Sequence, residues 1–154
     1  MTQPSVLFVC LGNICRSPLA EAALRAEAVA AGIAITIDSA GIGGWHAGSP
    51  PDERAQAEAL SNGIDIGGYR ARQVSQDDFR RFERIFALDQ QNLRDLGRIA
   101  PRRASAKVGL LMDIVPGREG TAVIDPYFGT QEDFAQTWED VSLAAKQIVA
   151  RLMR

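Results

Sequence analysis

Val6-Leu7-Phe8-Val9-Cys10-Leu11-Gly12-Asn13-Ile14-Cys15-Arg16-Ser17-Pro18 is the stretch on which the fold turns. Val6 to Val9 is an unbroken apolar run, β-branched and aromatic, as a strand covered on both faces requires. Gly12 and Asn13 are residue types that enter a left-handed backbone most readily. Ser17 before Pro18 predicts a helix start, with a capping hydroxyl ahead of proline at the first helical position. The loop from Cys10 to Arg16 therefore curls against the positive end of a helix. Successive backbone N–H groups there form a nest for an anion.

Cys10 opens this nest and Arg16 closes it. Inward amides, a helix N-terminus and a guanidinium all favour thiolate over thiol. The same donors match the oxygens of a phosphoryl group. Leu11, Gly12, Asn13, Ile14, Cys15, Arg16 and Ser17 are thus candidate binding residues, and the planar fork of Arg16 can hold two oxygens. A thiolate beneath a bound tetrahedral phosphoryl group is a nucleophile in attack position.

Working outward, the chain of 154 residues is long enough for one domain, 1–154, with a real core. A net charge of −2 gives no reason to expect nucleic acid or a membrane surface as partner. No apolar run reaches membrane-spanning length, and no basic segment precedes the first hydrophobic run as in a secretion signal. The two cysteines, Cys10 and Cys15, both lie in the loop. That usage fits a reducing, cytoplasmic setting and a reactive site, and excludes a disulfide framework. A single histidine, His46, leaves little for a histidine-based metal site, so neither metal nor cofactor is expected. His46 itself is assigned to the surface.

Downstream, apolar residues at three- and four-residue steps predict a helix from Pro18 to a cap at Gly32. A second strand follows from Ile33 to Ile37, ending at Asp38-Ser39-Ala40-Gly41. Ser49-Pro50-Pro51-Asp52 and Ser75-Gln76-Asp77-Asp78 have the spacing of helix starts. Arg84 to Leu88 reads as a strand closed by Asp89, then a helix from Asn92 to a stop at Gly97. Lys107 to Met112 reads as a fourth strand. Thr130 and Asp133 suit a capping box for a last helix whose apolar face carries Phe134, Trp138, Val141, Ala145, Ile148 and Leu152. Strands alternating with helices predict an α/β, three-layer fold: a four-stranded parallel sheet with helices on both faces, flavodoxin-like or Rossmann-like in topology. Ligands of such sheets bind beyond the carboxyl ends of the strands. Cys10, Ser39 and Asp89 each fall just after an expected strand, which puts them at one rim.

Expelling an alkoxide or phenoxide from phosphorus calls for a proton donor. Asp125 is the candidate, set in Asp125-Pro126-Tyr127-Phe128 ahead of the last helix. Proline at 126 biases Asp125 toward extended backbone on an exposed loop.

Cys-x5-Arg-Ser is the signature loop of cysteine-dependent phosphatases. The whole string Cys10 to Pro18, so near the N-terminus, resembles the low-molecular-weight protein tyrosine phosphatases. Asp38-Ser39-Ala40-Gly41, Ala71-Arg72-Gln73-Val74, Asn92-Leu93-Arg94-Asp95-Leu96 and Asp125-Pro126-Tyr127 match in the same order. The resemblance implies a metal-independent enzyme acting on a phosphotyrosine-containing protein or peptide, with Cys10, Arg16 and Asp125 catalytic and inorganic phosphate or another oxyanion bound in the loop. It also implies that Asn13 holds a left-handed turn through Ser17 and Ser39, that Ser17 stabilises the leaving thiolate, and that Trp45, Tyr127 and Phe128 line the cleft. Asp89 matches an acidic position of the family, either bracing the loop or only capping a helix. Tyr69 is a departure, standing where many relatives carry histidine. Cys15 is either a resolving thiol for Cys10 or a small apolar residue under the loop. Arsenate reductases of similar fold use further cysteines that this chain lacks. Protein arginine phosphatases resemble a pattern with threonine where Ile14 stands. A non-catalytic anion-binding or redox-sensing module would have no use for all three of nucleophile, arginine and acid.

Overall fold

The computed structural model describes residues 3–154. Its elements alternate: β1 (Ser5–Cys10), α1 (Arg16–Ala31), β2 (Thr36–Gly41), α2 (Glu53–Ser61), α3 (Asp78–Arg81), β3 (Arg84–Ala87), α4 (Gln90–Ile99), β4 (Lys107–Leu110), a 3-10 turn (Leu111–Ile114) and α5 (Gln131–Leu152). The strands form one parallel sheet in the order β2-β1-β3-β4. β1 is central, and all six of its residues are buried. Alternation along it splits the core. Val6, Phe8 and Cys10 face α1, α2 and α5, whereas Leu7 and Val9 face α3 and α4. Fully buried side chains such as Phe8, Leu19, Phe86 and Phe134 each stabilise the fold by about 2–3 kcal/mol.

Three helix ends follow the expected chemistry. Gly32 ends α1 in the left-handed region at φ 69°. Asp89 caps α4 by accepting from the Asn92 N–H at 2.7 Å. Thr130 and Asp133 form a reciprocal capping box on α5. Trp138 packs against the core, as its helical spacing requires.

Other local readings are corrected. α4 runs through Gly97 to Ile99, because a glycine inside a helix costs only about 1 kcal/mol when its amphipathic neighbours pack. The cap of α2 is Asp52, which accepts from Arg54 N–H, and not Ser49. β2 starts later than expected and includes Asp38 to Gly41, so Ser39 lies within the strand rather than beyond it. α1 begins at Arg16 with no side-chain cap, and Ser17 is already inside its first turn. The hydroxyl of Ser17 is committed elsewhere, as described next.

Candidate active site

Register aligns the carboxyl ends of the strands: Cys10 lies beside Gly41, and Val9 beside Ala87. The chain leaves β1 at Cys10 and re-enters α1 at Arg16, so residues 11–15 wrap the N-terminus of a sixteen-residue helix. Asn13 is the only non-glycine among the described residues with positive φ, at 60°. A side chain there costs about 1–2 kcal/mol unless something holds it. Four elements do. Asn13 Nδ2 donates to Ser17 Oγ at 2.8 Å and to Ser39 Oγ at 3.0 Å, while its Oδ1 accepts from the Arg72 backbone N–H at 3.0 Å. Its own N–H points at Cys10 Sγ from 3.3 Å. Gly41 makes room for this turn, since a Cβ there would lie 3.0 Å from the Gly12 backbone.

Cys10 Sγ lies 3.0 Å from Ser17 Oγ. A thiolate in that place accepts from both the Asn13 amide and the Ser17 hydroxyl. This explains the missing cap: Ser17 serves the sulfur and Asn13 instead of the helix end. Behind Ser39 the network continues into the core. The Ser39 hydroxyl donates to buried Glu21 at 2.7 Å, and Glu21 also accepts from Arg25 Nε at 3.0 Å. Burial pushes the Glu21 carboxyl above its ordinary value, against the pull of Ser39 and Arg25. Tyr69 packs at the edge of the same cluster, and burial also pushes its phenol up, with the Glu21 charge adding to the effect.

Arg16 is buried, yet its guanidinium reaches the cleft. Nη1 donates to Asp89 Oδ2 at 2.7 Å and to the Val123 carbonyl at 3.0 Å. Asp89 therefore does both things that the sequence left as alternatives. One oxygen caps α4 and the other fixes the arginine.

Asp125 enters from the opposite side, on the loop between the 3-10 turn and α5. Its Oδ2 lies 3.7 Å from Arg16 Nη2, and its Oδ1 accepts from the Tyr127 N–H at 3.1 Å. The side chain is 44% exposed. Cys10, Leu11, Gly12, Ile14, Cys15, Arg16, Trp45, Asp125, Tyr127 and Phe128 line one cleft of about 240 Å³. Asn13 and Ser17 do not line it. They lie beneath the loop, 3% and 0% exposed, so their side chains act on the loop and not on a ligand. The walls are aromatic and open: Trp45 is 72% exposed and Phe128 96%. Such a polar floor with flat apolar sides fits an aryl group carrying a dianion.

Two cleft features escaped the sequence. His46 is half-buried against the loop, near enough that a Cβ on Gly12 would sit 3.1 Å from its ring, so the assignment to the surface is corrected. Arg54 ties the acid-bearing loop to α2 by hydrogen bonds to the Tyr127 and Gly129 carbonyls. Cys15 is buried and free, as is Cys10. Burial, reinforced by the Asp52 and Cys10 charges, pushes the Cys15 thiol far up, so it stays protonated at neutral pH.

The low molecular weight phosphotyrosine protein phosphatase family matches residues 5–154. The chain belongs to that family. A low molecular weight phosphotyrosine protein phosphatase of Schizosaccharomyces pombe is 44% identical over 136 residues, covering 86% of each chain. The crystal structure of YfkJ from Bacillus subtilis superposes with a TM-score of 0.91 at 39% identity, covering 99% of this chain and 96% of that one. A drosophila arginine phosphatase superposes equally well, TM-score 0.91, at 30% identity over 97% and 98% of the two chains. Family membership accounts for the shared fold. The chemistry rests on the residues gathered at its rim. Among the described residues no helix is long and apolar enough to cross a membrane.

Proposed function

We propose that residues 1–154 act as one catalytic domain, a cytoplasmic, metal-independent protein tyrosine phosphatase working through a phosphocysteine. The observation that carries this reading is the setting of Cys10. Its sulfur lies within reach of an inward amide and a hydroxyl, at the floor of a cleft that also holds a fixed guanidinium and a carboxyl group.

A phosphotyrosine side chain enters between Trp45, Tyr127 and Phe128. Its phosphoryl oxygens take the loop amides and the open side of the Arg16 fork. Cys10 thiolate attacks phosphorus, an S–P bond forms, and the bond to the phenolic oxygen breaks. Protonated Asp125 gives its proton to that oxygen, so tyrosine leaves neutral. The Asp125 carboxylate then takes a proton from water as the water attacks phosphorus. The S–P bond breaks, its electron pair returns to Cys10, and inorganic phosphate departs. Ser17 donates to the sulfur anion in both the first and last states. Buried Cys15, held as the thiol, keeps both roles read from the sequence: a small apolar residue under the loop, or a resolving thiol that condenses with a peroxide-formed Cys10 sulfenic acid, releasing water and closing a disulfide.

A second reading, a protein arginine phosphatase, has support in the drosophila neighbour. Ile14 argues against it, because that side chain lines the cleft and offers no hydrogen bond to a guanidinium. The deciding experiment compares phosphotyrosine and phosphoarginine peptides without added metal, with vanadate as competitor. Vanadate-sensitive turnover favouring phosphotyrosine at least tenfold is expected. Preference for phosphoarginine would overturn the substrate assignment, and no turnover of either would overturn the enzyme reading.

A further inference from the structure

Asp125 presents a problem of positioning. A general acid must hold its proton within hydrogen-bond reach of the leaving oxygen. Yet Ile124, Asp125, Tyr127 and Phe128 are exposed, with Ile124 at 73%. Within the loop, the bonds are short-range: Tyr127 N–H to Asp125 Oδ1 and Gly129 N–H to Pro126 O at 2.8 Å. Such bonds shape the loop but do not say where it sits relative to Cys10.

Val123, bonded to Leu88 and Arg16, and buried Pro126 anchor the start of the loop, and the anchor beyond Asp125 comes from α2. Arg54 Nη2 donates to the Tyr127 carbonyl at 2.8 Å, and Nη1 to the Gly129 carbonyl at 3.3 Å. Its guanidinium also lies over two rings, 5.6 Å from the Tyr127 centroid and 4.7 Å from that of Phe134 in α5. The other edge of the fork is clamped by Asp52, with Nε on Oδ1 and Nη2 on Oδ2, both at 3.0 Å. Gln131 Nε2 returns a bond to the Arg54 carbonyl at 3.1 Å. Asp52 is itself joined to the phosphate loop, since its backbone N–H donates to the Ile14 carbonyl at 2.9 Å. A continuous path therefore runs from the nucleophile loop through Asp52 and Arg54 to the backbone that carries the acid.

We propose that Arg54 is a positioning residue: it latches the Asp125 loop over Cys10 and so delivers the general acid to the leaving group. This rests on the assignment of Asp125 made above. Only an arginine can fill the place. Lysine has one compact ammonium and cannot serve a carboxylate, two carbonyls and two ring faces together. Arg54 does not line the cleft that holds Cys10 and Arg16, so binding and thiolate attack depend on it far less than the placement of Asp125 does. Its loss falls chiefly on proton delivery, and the cost grows with the basicity of the leaving oxygen.

The test is kcat/KM for nitrophenyl phosphate, a good leaving group, and phenyl phosphate, a poor one. It is measured in the parent, Arg54→Ala, Arg54→Lys, Asp125→Ala and the Arg54→Ala/Asp125→Ala double variant. Arg54→Ala should lose about tenfold or more on phenyl phosphate and no more than about threefold on nitrophenyl phosphate. Arg54→Lys should fall between it and the parent, and vanadate inhibition should stay within about threefold of the parent in both. With Asp125 already removed, Arg54→Ala should add no further discrimination between the substrates. Equal losses on both substrates, no loss on either, or an undiminished effect in the Asp125→Ala background would each overturn the latch. Should Arg54→Ala fail to fold, Arg54→Lys carries the same comparison. If Asp125→Ala itself leaves the two substrates equally affected, the general-acid assignment falls and the latch with it. Discrimination by Asp125→Ala without discrimination by the Arg54 variants overturns the latch alone.

Discussion

The two loops that meet over the cleft are built in opposite ways. The phosphate loop is held from below by buried side chains. Asn13 reaches Ser17, Ser39 and the backbone of residue 72, and Arg16 is pinned by Asp89 and Val123. The loop carrying Asp125 is largely exposed, and it is tied to the body by Arg54, by the Val123 bonds to Leu88 and Arg16, and by buried Pro126. The contrast fits the chemistry proposed for each. Attack on phosphorus needs donors fixed before the substrate arrives, because a misplaced oxyanion donor loses most of its value. Proton transfer needs a group that meets water and substrate in turn, so it belongs on a reachable loop.

The comparison breaks most severely at the sulfur. Cys10→Ser should lower aryl phosphate turnover by roughly 10⁴-fold or more while vanadate or phosphate still binds, as measured by calorimetry beside steady-state kinetics. Parental turnover in that variant would end the nucleophile assignment. Asp125→Ala should cost about 10²-fold on phenyl phosphate and far less on nitrophenyl phosphate, with little change in melting temperature, because the loop is exposed. Asn13→Ala should do the reverse. It removes three side-chain hydrogen bonds while leaving a left-handed residue, so stability should fall by about 2–4 kcal/mol and activity on both substrates by about tenfold. Asn13→Gly relieves the backbone cost alone and should recover part of the stability but not the activity. If Asn13→Ala melts at the parental temperature, the phosphate loop is less constrained than its bonds indicate.

The smallest effect concerns pH. Asp78 is fully buried beneath the segment that feeds Asn13. Burial alone pushes its carboxyl up, but the Arg72 guanidinium and the Ser75 N–H outweigh it and hold the group below its ordinary value. The resulting stability is complete above the unfolded aspartate value of about 3.9 and is lost as pH falls through the lower folded value. Asp78→Asn should therefore flatten the loss of stability below about pH 4 in acid denaturation followed by circular dichroism. An unchanged acid limb would show that Arg72 does not pair with Asp78 in solution.

Legibility in the sequence divides along the same line. The phosphate loop is contiguous, so its strand, its left-handed turn and the helix that follows could all be read from neighbouring residues. Asp125 was legible only because proline and the aromatics follow it directly. Arg54 and His46 were missed, since each acts on a loop distant in the chain, and no local spacing marks such a contact. Ser17 shows how a local rule yields to tertiary structure. A serine before proline favours a cap, but a buried sulfur and a buried amide offered its hydroxyl stronger company. Gly97 failed for the same reason in reverse, because packing of Leu96 and its neighbours carried the helix past it.

Asp89 spends one oxygen on the first turn of α4 and the other on Arg16. Through Asp89, the arginine of the cleft and the first turn of that helix share one carboxylate. An oxyanion held by the guanidinium where Asp89 already pins it should also steady that carboxylate, and with it the Asn92 amide. Ligand binding should therefore be read at the first turn of α4 as slower amide exchange at Asn92.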